Sequence, residues 1–306
     1  MDAVRIYEVT MRDGLQNEPE TLSTEGKIEL VSMLAAAGHR DIEITSFVKP
    51  SWIPQLADGD KLARTLHPAP EGVRYWCLIP NRRGLERAID AGVRNIATFM
   101  SASEAHNRKN LNRTQLESLS ILEDVIGVAK DEGMGVRSYL STVFGCPYEG
   151  DVPVERSIEL AQRLLEMGAD ELALGDTTGM GNPVQVGETV SRMEAAGVPL
   201  DRIALHMHDT RGTALVNCLA GYQAGIRTFD ASTAGLGGCP YAPGAAGNAA
   251  TEDMVQMFNA MGCRTGVDLE KTAAAGMELE RRLGRDLPGR YHRFHKGSRA
   301  RNRRTA

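Results

Sequence analysis

The chain is poor in aromatic residues, 5% with only two tryptophans, and it carries no long hydrophobic run. Without a stretch of about 20 apolar residues there is no candidate membrane span. Its five cysteines, Cys77, Cys146, Cys218, Cys239 and Cys263, are scattered and form no CxxC pair. That argues against structural zinc and a disulfide scaffold, and it fits a reducing compartment. The opening MDAVRIYEVT has no basic segment followed by an apolar one, so no signal peptide is expected, and the closing RRTA is not a peroxisomal address. A cytoplasmic protein is the expectation. TMRDGLQNEP follows the first strand-like segment and contains no GxGxxG, which removes the usual mark of a dinucleotide-binding open sheet. Positive charge is also scarce along most of the chain. Ten of the 35 Lys and Arg, but only one of the 40 acids, lie from Arg281 to Ala306. A basic stripe on an acidic body is a weak nucleic-acid signal, and RFHKGSRARNRRTA reads as a solvated, frayed end.

What is present is a recurring unit. An amphipathic helix ends at or near a glycine and a short β-branched strand follows, as in MLAAAGHRDIEIT, AIDAGVRNIATFM, LLEMGADELALGD, MEAAGVPLDRIALHMH and YQAGIRTFDAS. Strands are placed at Val4–Val9, Asp41–Thr45, Val73–Ile79, Arg94–Met100, Gly135–Thr142, Glu171–Gly175, Arg202–Met207 and Arg227–Ala231. Helices fill Thr24–Ala37, Trp52–Leu66, Arg83–Ala91, Thr114–Glu132, Pro153–Met167, Pro183–Ala196, Thr213–Ala224 and Ala249–Met261, with a further outer helix at Leu269–Leu283. Eight β–α units over this length predict an α/β protein, a (β/α)8 TIM barrel with an extra C-terminal helix. The division expected is a barrel domain over residues 1–284 and a basic tail over 285–306.

In such a barrel the reactive groups stand just after the strands, at one face. The unusual polar residues do fall there: MRDGLQNE after the first strand, GCPYEGD after the fifth, GDTTGMG after the sixth, HMHDT at the end of the seventh and GLGGCPYAPGAAGN after the eighth. His206 and His208 share a strand face by the period of two. Alone, an HxH pair is as readily two strand-end histidines as a metal site. Asp13, at the neighbouring mouth, turns the reading toward a cation. Imidazole with carboxylate suits Mg, Mn, Fe or Zn; the lack of thiolates and the amide of Asn248 point to Mg or Mn. Arg12 and Asp13, adjacent in sequence, are expected on opposite faces. Arg12 either aims at a developing oxyanion or pairs with Glu8 or Glu43. Glu43, an acid inside a barrel strand, needs a partner, and Arg12 is the candidate. Asp176 either serves the site or makes an Asx-turn before TTG. Cys239 lies in a glycine-rich loop, as a proton carrier or an inert small residue. Cys146, beside Pro147, reads as structural.

Together MRDGLQNE, IEITSFVKPSWIPQLAD, SASEAHNRKNLNRT, GCPYEGD, GDTTGMGNP, HMHDTRGTALVN and GLGGCPYAPGAAGNAATED resemble the 3-hydroxy-3-methylglutaryl-CoA lyase family over about Val4 to Met261. The resemblance implies a retro-Claisen cleavage that gives acetoacetate and acetyl-CoA, usually within leucine degradation. It implies Asp13, His206, His208 and Asn248 as metal ligands, Arg12 on the enolate oxygen and as a substrate contact, and Cys239 in proton transfer. Glu43 and Asp176 would organise the site, with Glu8 and Gln16 nearby, Gln16 as a substrate contact. His206 is carried also as a proton shuttle, although a metal-bound imidazole is a poor base. The implied partners are an acyl-CoA substrate and, as an open alternative, a second copy of the chain; neither a membrane nor a nucleic acid is expected. Four places depart from the family pattern: Arg211 after HDT, Pro243 in CPYAPGA, Asn107–Arg108, and the tail LPGRYHRFHKGSRARNRR. They keep a second reading in view, a lyase for another branched 3-hydroxyacyl-CoA such as citramalyl-CoA or a longer 3-substituted glutaryl-CoA. A condensing synthase is the third; it would carry different loop residues in place of GCPYAPGAAGN.

Overall fold

A computed structural model describes residues 2–239 and 242–305, with the side chains of 239, 242–246 and 299–305 outside that description. Eight parallel strands close into a barrel: β1 (Arg5–Glu8), β2 (Asp41–Ser46), β3 (Arg74–Leu78), β4 (Asn95–Ser101), β5 (Gly135–Ser141), β6 (Glu171–Asp176), β7 (Ile203–Met207) and β8 (Thr228–Ala231). Closure is made by β8 lying against β1, Arg5 opposite Thr228 through Glu8 opposite Ala231. The outer ring holds α1 (Thr24–Ala36), α2 (Gly59–Leu66), α3 (Arg82–Asp90), α4 (Glu104–Leu111), α5 (Gln115–Asp131), α6 (Val154–Glu166), α7 (Pro183–Ala195), α8 (Ala214–Gln223) and α9 (Thr251–Ala260). Two more helices, α10 (Leu269–Leu283) and α11 (Arg290–Thr305), follow, and a small antiparallel hairpin, β9 (Gly238–Cys239) with β10 (Ala242–Ala246), stands after β8. The expected (β/α)8 barrel and its outer helix are therefore present.

Local chemistry sets the helix starts. Ser23, Asn81, Asn182 and Asp268 each accept a backbone N–H of the first turn, and Thr114 forms a reciprocal capping box with Glu117. The ends use left-handed glycines, as at Gly92 (φ 81°) and Gly197 (φ 84°). Apolar residues divide between two places. Ile42, Ile44, Ile96, Val136, Leu172, Leu174 and Leu205 join the shell between strands and helices. Leu78, Ala97, Tyr139, Ala173 and Ala204 form an inner cluster. The small inner residues leave room in the lumen for polar groups.

The structure corrects the helix expected over Trp52–Leu66. Pro54 starts a short 3-10 turn, Pro54–Leu56, and α2 begins only at Gly59. There a Cβ would come 2.9 Å from the Ser46 carbonyl oxygen, so the chain must pass close to β2 before helix can form. The α4 helix, capped by Ser103, was not anticipated; its polar sequence EAHNRKNL hides the pattern. The C-terminal segment is not a frayed end. His292 is fully buried, and Lys296 donates to Glu280 at 2.5 Å and Asp286 at 2.7 Å. Arg285 pairs with Glu18, and Arg282 with Glu278 and Glu29, so much of the basic excess is spent on the acidic barrel. Among the described residues no helix is long and apolar enough to cross a membrane.

Candidate metal centre and active site

After β1 the chain does not turn at once. Thr10–Gly14 form a single π-helical turn, all five residues buried. Such wide turns are rare and favour functional sites. The turn overturns the expectation that Arg12 and Asp13 face apart, because strand alternation has ended: Arg12 Nη1 donates to Asp13 Oδ1. Gln16 Nε2 donates to the same oxygen at 2.8 Å. The other oxygen, Oδ2, accepts from Asn248 Nδ2 at 2.8 Å and lies 3.9 Å from the Nε2 atoms of both His206 and His208.

The two histidines face each other, Nε2 to Nε2, at 3.1 Å. His206 Nδ1 lies 3.0 Å from Asp230 Oδ2. A proton there, directed at the carboxylate, leaves the Nε2 lone pair free. Burial, with His206 adding to it, pushes His208 down to about 4, so that ring is neutral at ordinary pH. Burial alone would raise the Asp13 carboxyl, but Arg12, the two histidines and the Asn248 amide hold it well below the usual range. Two imidazole nitrogens and one ionised carboxylate thus converge, their ligand atoms all within 4.8 Å of one another. That donor set fits a divalent cation. Asn248 reaches the same place, bridging to His208 across a backbone β-bridge, with its amide nitrogen turned to Asp13 Oδ2 and, at 3.2 Å, to Leu236 O.

Arg12 pairs with Glu43, Nε to Oε1 at 2.6 Å, and not with Glu8. Burial works against its charge, yet Glu43 and Asp13 raise its pKa well above the usual value. Glu43 Oε2 accepts the Tyr139 hydroxyl at 2.6 Å. Glu8 instead ties together Thr10, Thr233 and Thr251 beneath the β8 loop. Asp176 is used by its own loop: Oδ1 accepts Met180 N at 2.8 Å and Oδ2 accepts Gly181 N at 3.0 Å. Burial nevertheless raises it to about 6, against those two N–H groups. Asp209 accepts Ala214 N at 3.0 Å, a turn residue beside the histidines. The Cys239 side chain lies outside the described residues. Cys146 is 1% exposed and receives Tyr148 N and Glu149 N at 3.4 Å, an anchor for its loop.

Three polar residues of the lumen escaped the sequence reading: Arg137 and Tyr139 on β5, and Asp230 on β8. Arg137 is fully buried, contacts Asp230 at 2.5 and 3.1 Å, and stacks 3.8 Å over the Tyr7 ring. The signal that singled out Glu43, a charge within a parallel strand, applied equally to VRSYL and TFDAS. Of the departures from the family pattern, Arg211 braces the β6 loop through Thr178 O (2.7 Å) and Gly179 O (2.8 Å). Asn107 is fully buried and holds Ser101 N and Arg113 O, Arg108 pairs with Glu104, and the side chain of Pro243 is outside the described residues.

Comparison with known proteins follows the same lines. The HMGL-like family model matches residues 3–277. The chain is 52% identical to a hydroxymethylglutaryl-CoA lyase of Bacillus subtilis over 96% of its length and 98% of that protein's. It is 45% identical to the hydroxymethylglutaryl-CoA lyase of Pseudomonas mevalonii, covering 93% and 94% of the two chains. A crystal structure of the B. subtilis HMG-CoA lyase superposes with a TM-score of 0.94 at 50% identity, covering 97% of this chain and 99% of that one. An Acinetobacter baumannii HMG-CoA lyase, solved with coenzyme A and 3-methylmalate, superposes with a TM-score of 0.89 at 38% identity, covering 94% of each chain.

Proposed function

The chain belongs to the HMG-CoA lyase family, and on that premise we propose how its barrel mouth carries out the family's reaction. The protein is a carbon–carbon lyase that cleaves 3-hydroxy-3-methylglutaryl-CoA to acetoacetate and acetyl-CoA. The observation that carries the mechanism is the convergence of Asp13, His206 and His208 on one point. These three would hold a divalent cation, with Asn248 as the fourth ligand, and the all-N/O donor set favours Mg or Mn. Bound there, the ion supplies Lewis acidity that lowers the substrate alcohol's pKa and orients its oxygens.

The chain's own residues do the rest. The tertiary alcohol gives up its proton to the Cys239 thiolate, which later returns it to the enolate carbon; its oxygen becomes the ketone of acetoacetate, and the broken bond's electron pair passes to the thioester as an enolate. Arg12, locked by Glu43 and Asp13, presents a fixed positive charge to that enolate oxygen, a preorganised group of the kind most effective in a buried site. Tyr139 fixes Glu43 from the other side, so Arg12 has little freedom to turn. Gln16 steadies Asp13 and would serve as a substrate contact. Cys239, on the hairpin after β8, carries the proton that completes acetyl-CoA. Asp176 supports the site by holding the β6 loop. His206 is assigned as a ligand and not as the shuttle, since Asp230 engages one nitrogen and the cluster the other. The proposal extends to a cytoplasmic setting and to leucine degradation, the family's usual context.

Incubation with 3-hydroxy-3-methylglutaryl-CoA, citramalyl-CoA and a longer 3-substituted glutaryl-CoA, each with Mg or Mn, tests substrate choice. Release of acetoacetate and acetyl-CoA in one-to-one ratio, with the first substrate preferred, is expected. Preference for either of the others would overturn the assignment.

A further inference from the structure

Away from the mouth lies a buried polar cluster that the chemistry does not use. Glu252, in the first turn of α9, and His292, in α11, are both fully buried. Glu252 Oε2 accepts Ala234 N at 2.7 Å. Among the described residues, Glu252 Oε1 and His292 Nδ1 have no hydrogen-bond partner. Both face Gly276 of α10: a Cβ there would lie 2.8 Å from Glu252 Oε1, 3.0 Å from His292 Nδ1 and 3.4 Å from the Ala234 Cβ. The absence of a side chain at 276 is therefore what lets α9, α11 and the Ala234 turn meet.

The protons can be assigned. His292 Nε2 lies 2.9 Å from Glu280 Oε2, which also accepts Leu287 N at 3.0 Å, while Glu280 Oε1 accepts Lys296 Nζ at 2.5 Å. An ionised Glu280 between these donors calls for an imidazole proton on Nε2. Burial pushes Glu252 up to about 8, against the Ala234 N–H.

The cluster grips a strained turn. Ala234 has φ 55°, a left-handed conformation that a residue with a Cβ adopts only when its surroundings enforce it. Its N–H is held by Glu252, and its carbonyl accepts Gly289 N at 2.8 Å from the start of the α11 segment. Two residues on, the Leu236 carbonyl accepts from the Asn248 amide, which reaches Asp13. We propose that α11 is a positioning element for the metal centre: docked by His292 on Glu280 and by Gly289 N on the Ala234 carbonyl, it fixes, together with Glu252, the Ala234 turn, and the Leu236 carbonyl then sets the Asn248 side chain. The inference rests on reading Asp13 and Asn248 as ligands.

The test is Mn2+ affinity, measured by calorimetry without substrate, together with amide exchange over residues 233–237. In the wild-type protein Mn2+ should bind and Asp13→Ala should abolish binding; if either fails, the ligand reading itself is wrong, whatever α11 does. With that control satisfied, His292→Ala and Glu252→Ala should each weaken Mn2+ by on the order of 10-fold, the lower end of what losing a direct partner of a metal ligand costs. Exchange at 233–237 should quicken, and kcat should fall while KM for the thioester holds. Glu252→Gln, which keeps an acceptor for Ala234 N, should restore wild-type Mn2+ affinity. Unchanged Mn2+ affinity in His292→Ala and Glu252→Ala would overturn the proposal. Should those variants fail to fold, fast exchange of the Ala234 N–H in the wild-type protein would overturn it equally.

Discussion

Asp230→Asn is the sharpest probe of whether the histidine pair is oriented for a cation. Asp230 stands in the lumen on β8, 2% exposed, between His206 Nδ1 at 3.0 Å and the guanidinium of Arg137. Burial would raise its pKa, but Arg137 and His206 pull it below the ordinary value, so it is ionised where it touches the ring. Asparagine keeps the shape and removes the charge. With its oxygen toward His206, its NH2 confronts Arg137, donor against donor; turned the other way, it confronts the His206 N–H. Loss of such an outer carboxylate typically weakens a metal site by about 10- to 100-fold, and the Mn2+ Kd should rise by that much. Arg137 would keep Glu171, close enough for an ion pair at 2.8 Å but not aligned for a hydrogen bond, and the Tyr7 ring. Breaking a buried pair from one side costs about 3–5 kcal/mol, and these remaining contacts place the loss near the lower end of that range. Calorimetric Mn2+ titration and urea unfolding of the same preparations read both effects. A stability loss of this size with unchanged Mn2+ affinity would refute the reasoning, leaving Asp230 as a partner of Arg137 alone.

Cys239→Ala should lower kcat on the order of 10²-fold if the thiol transfers a proton, and near-normal turnover would demote it to a loop residue. Tyr139→Phe removes the hydroxyl that donates to Glu43 Oε2; a buried acceptor left bare costs roughly 1–3 kcal/mol, and kcat should fall with it as Arg12 loosens. Glu252 holds its proton further up the pH scale when folded (about 8) than when unfolded (about 4.5), so between those values the native state binds more protons and stability falls as pH rises. The slope approaches about 1.4 kcal/mol per pH unit within that window, and urea midpoints of Glu252→Gln should show that contribution gone.

The barrel was legible because its units repeat, each helix closing on a glycine before a β-branched strand. The cluster of Asp13, His206 and His208 was legible because barrel strand ends gather such groups and His206 and His208 share one face. What stayed hidden was set by geometry that sequence spacing does not encode. Strand alternation placed Arg12 and Asp13 apart, and only the π-helical turn brings them together. Asp230 and Arg137 come from distant strands and meet across the lumen, where the inner alanines make room. The tail's charge suggested a solvated end, because nothing in RYHRFHK announces that His292 is buried against Glu280 and Gly276.

The central claim is tested most directly by chelating the protein free of metal and assaying acetyl-CoA release from 3-hydroxy-3-methylglutaryl-CoA before and after Mg or Mn is restored, in the wild type and in His208→Ala. Activity should vanish on chelation, return with added metal in the wild type, and fail to return in the variant. Full activity in the chelated protein, or wild-type recovery in His208→Ala, would contradict the account.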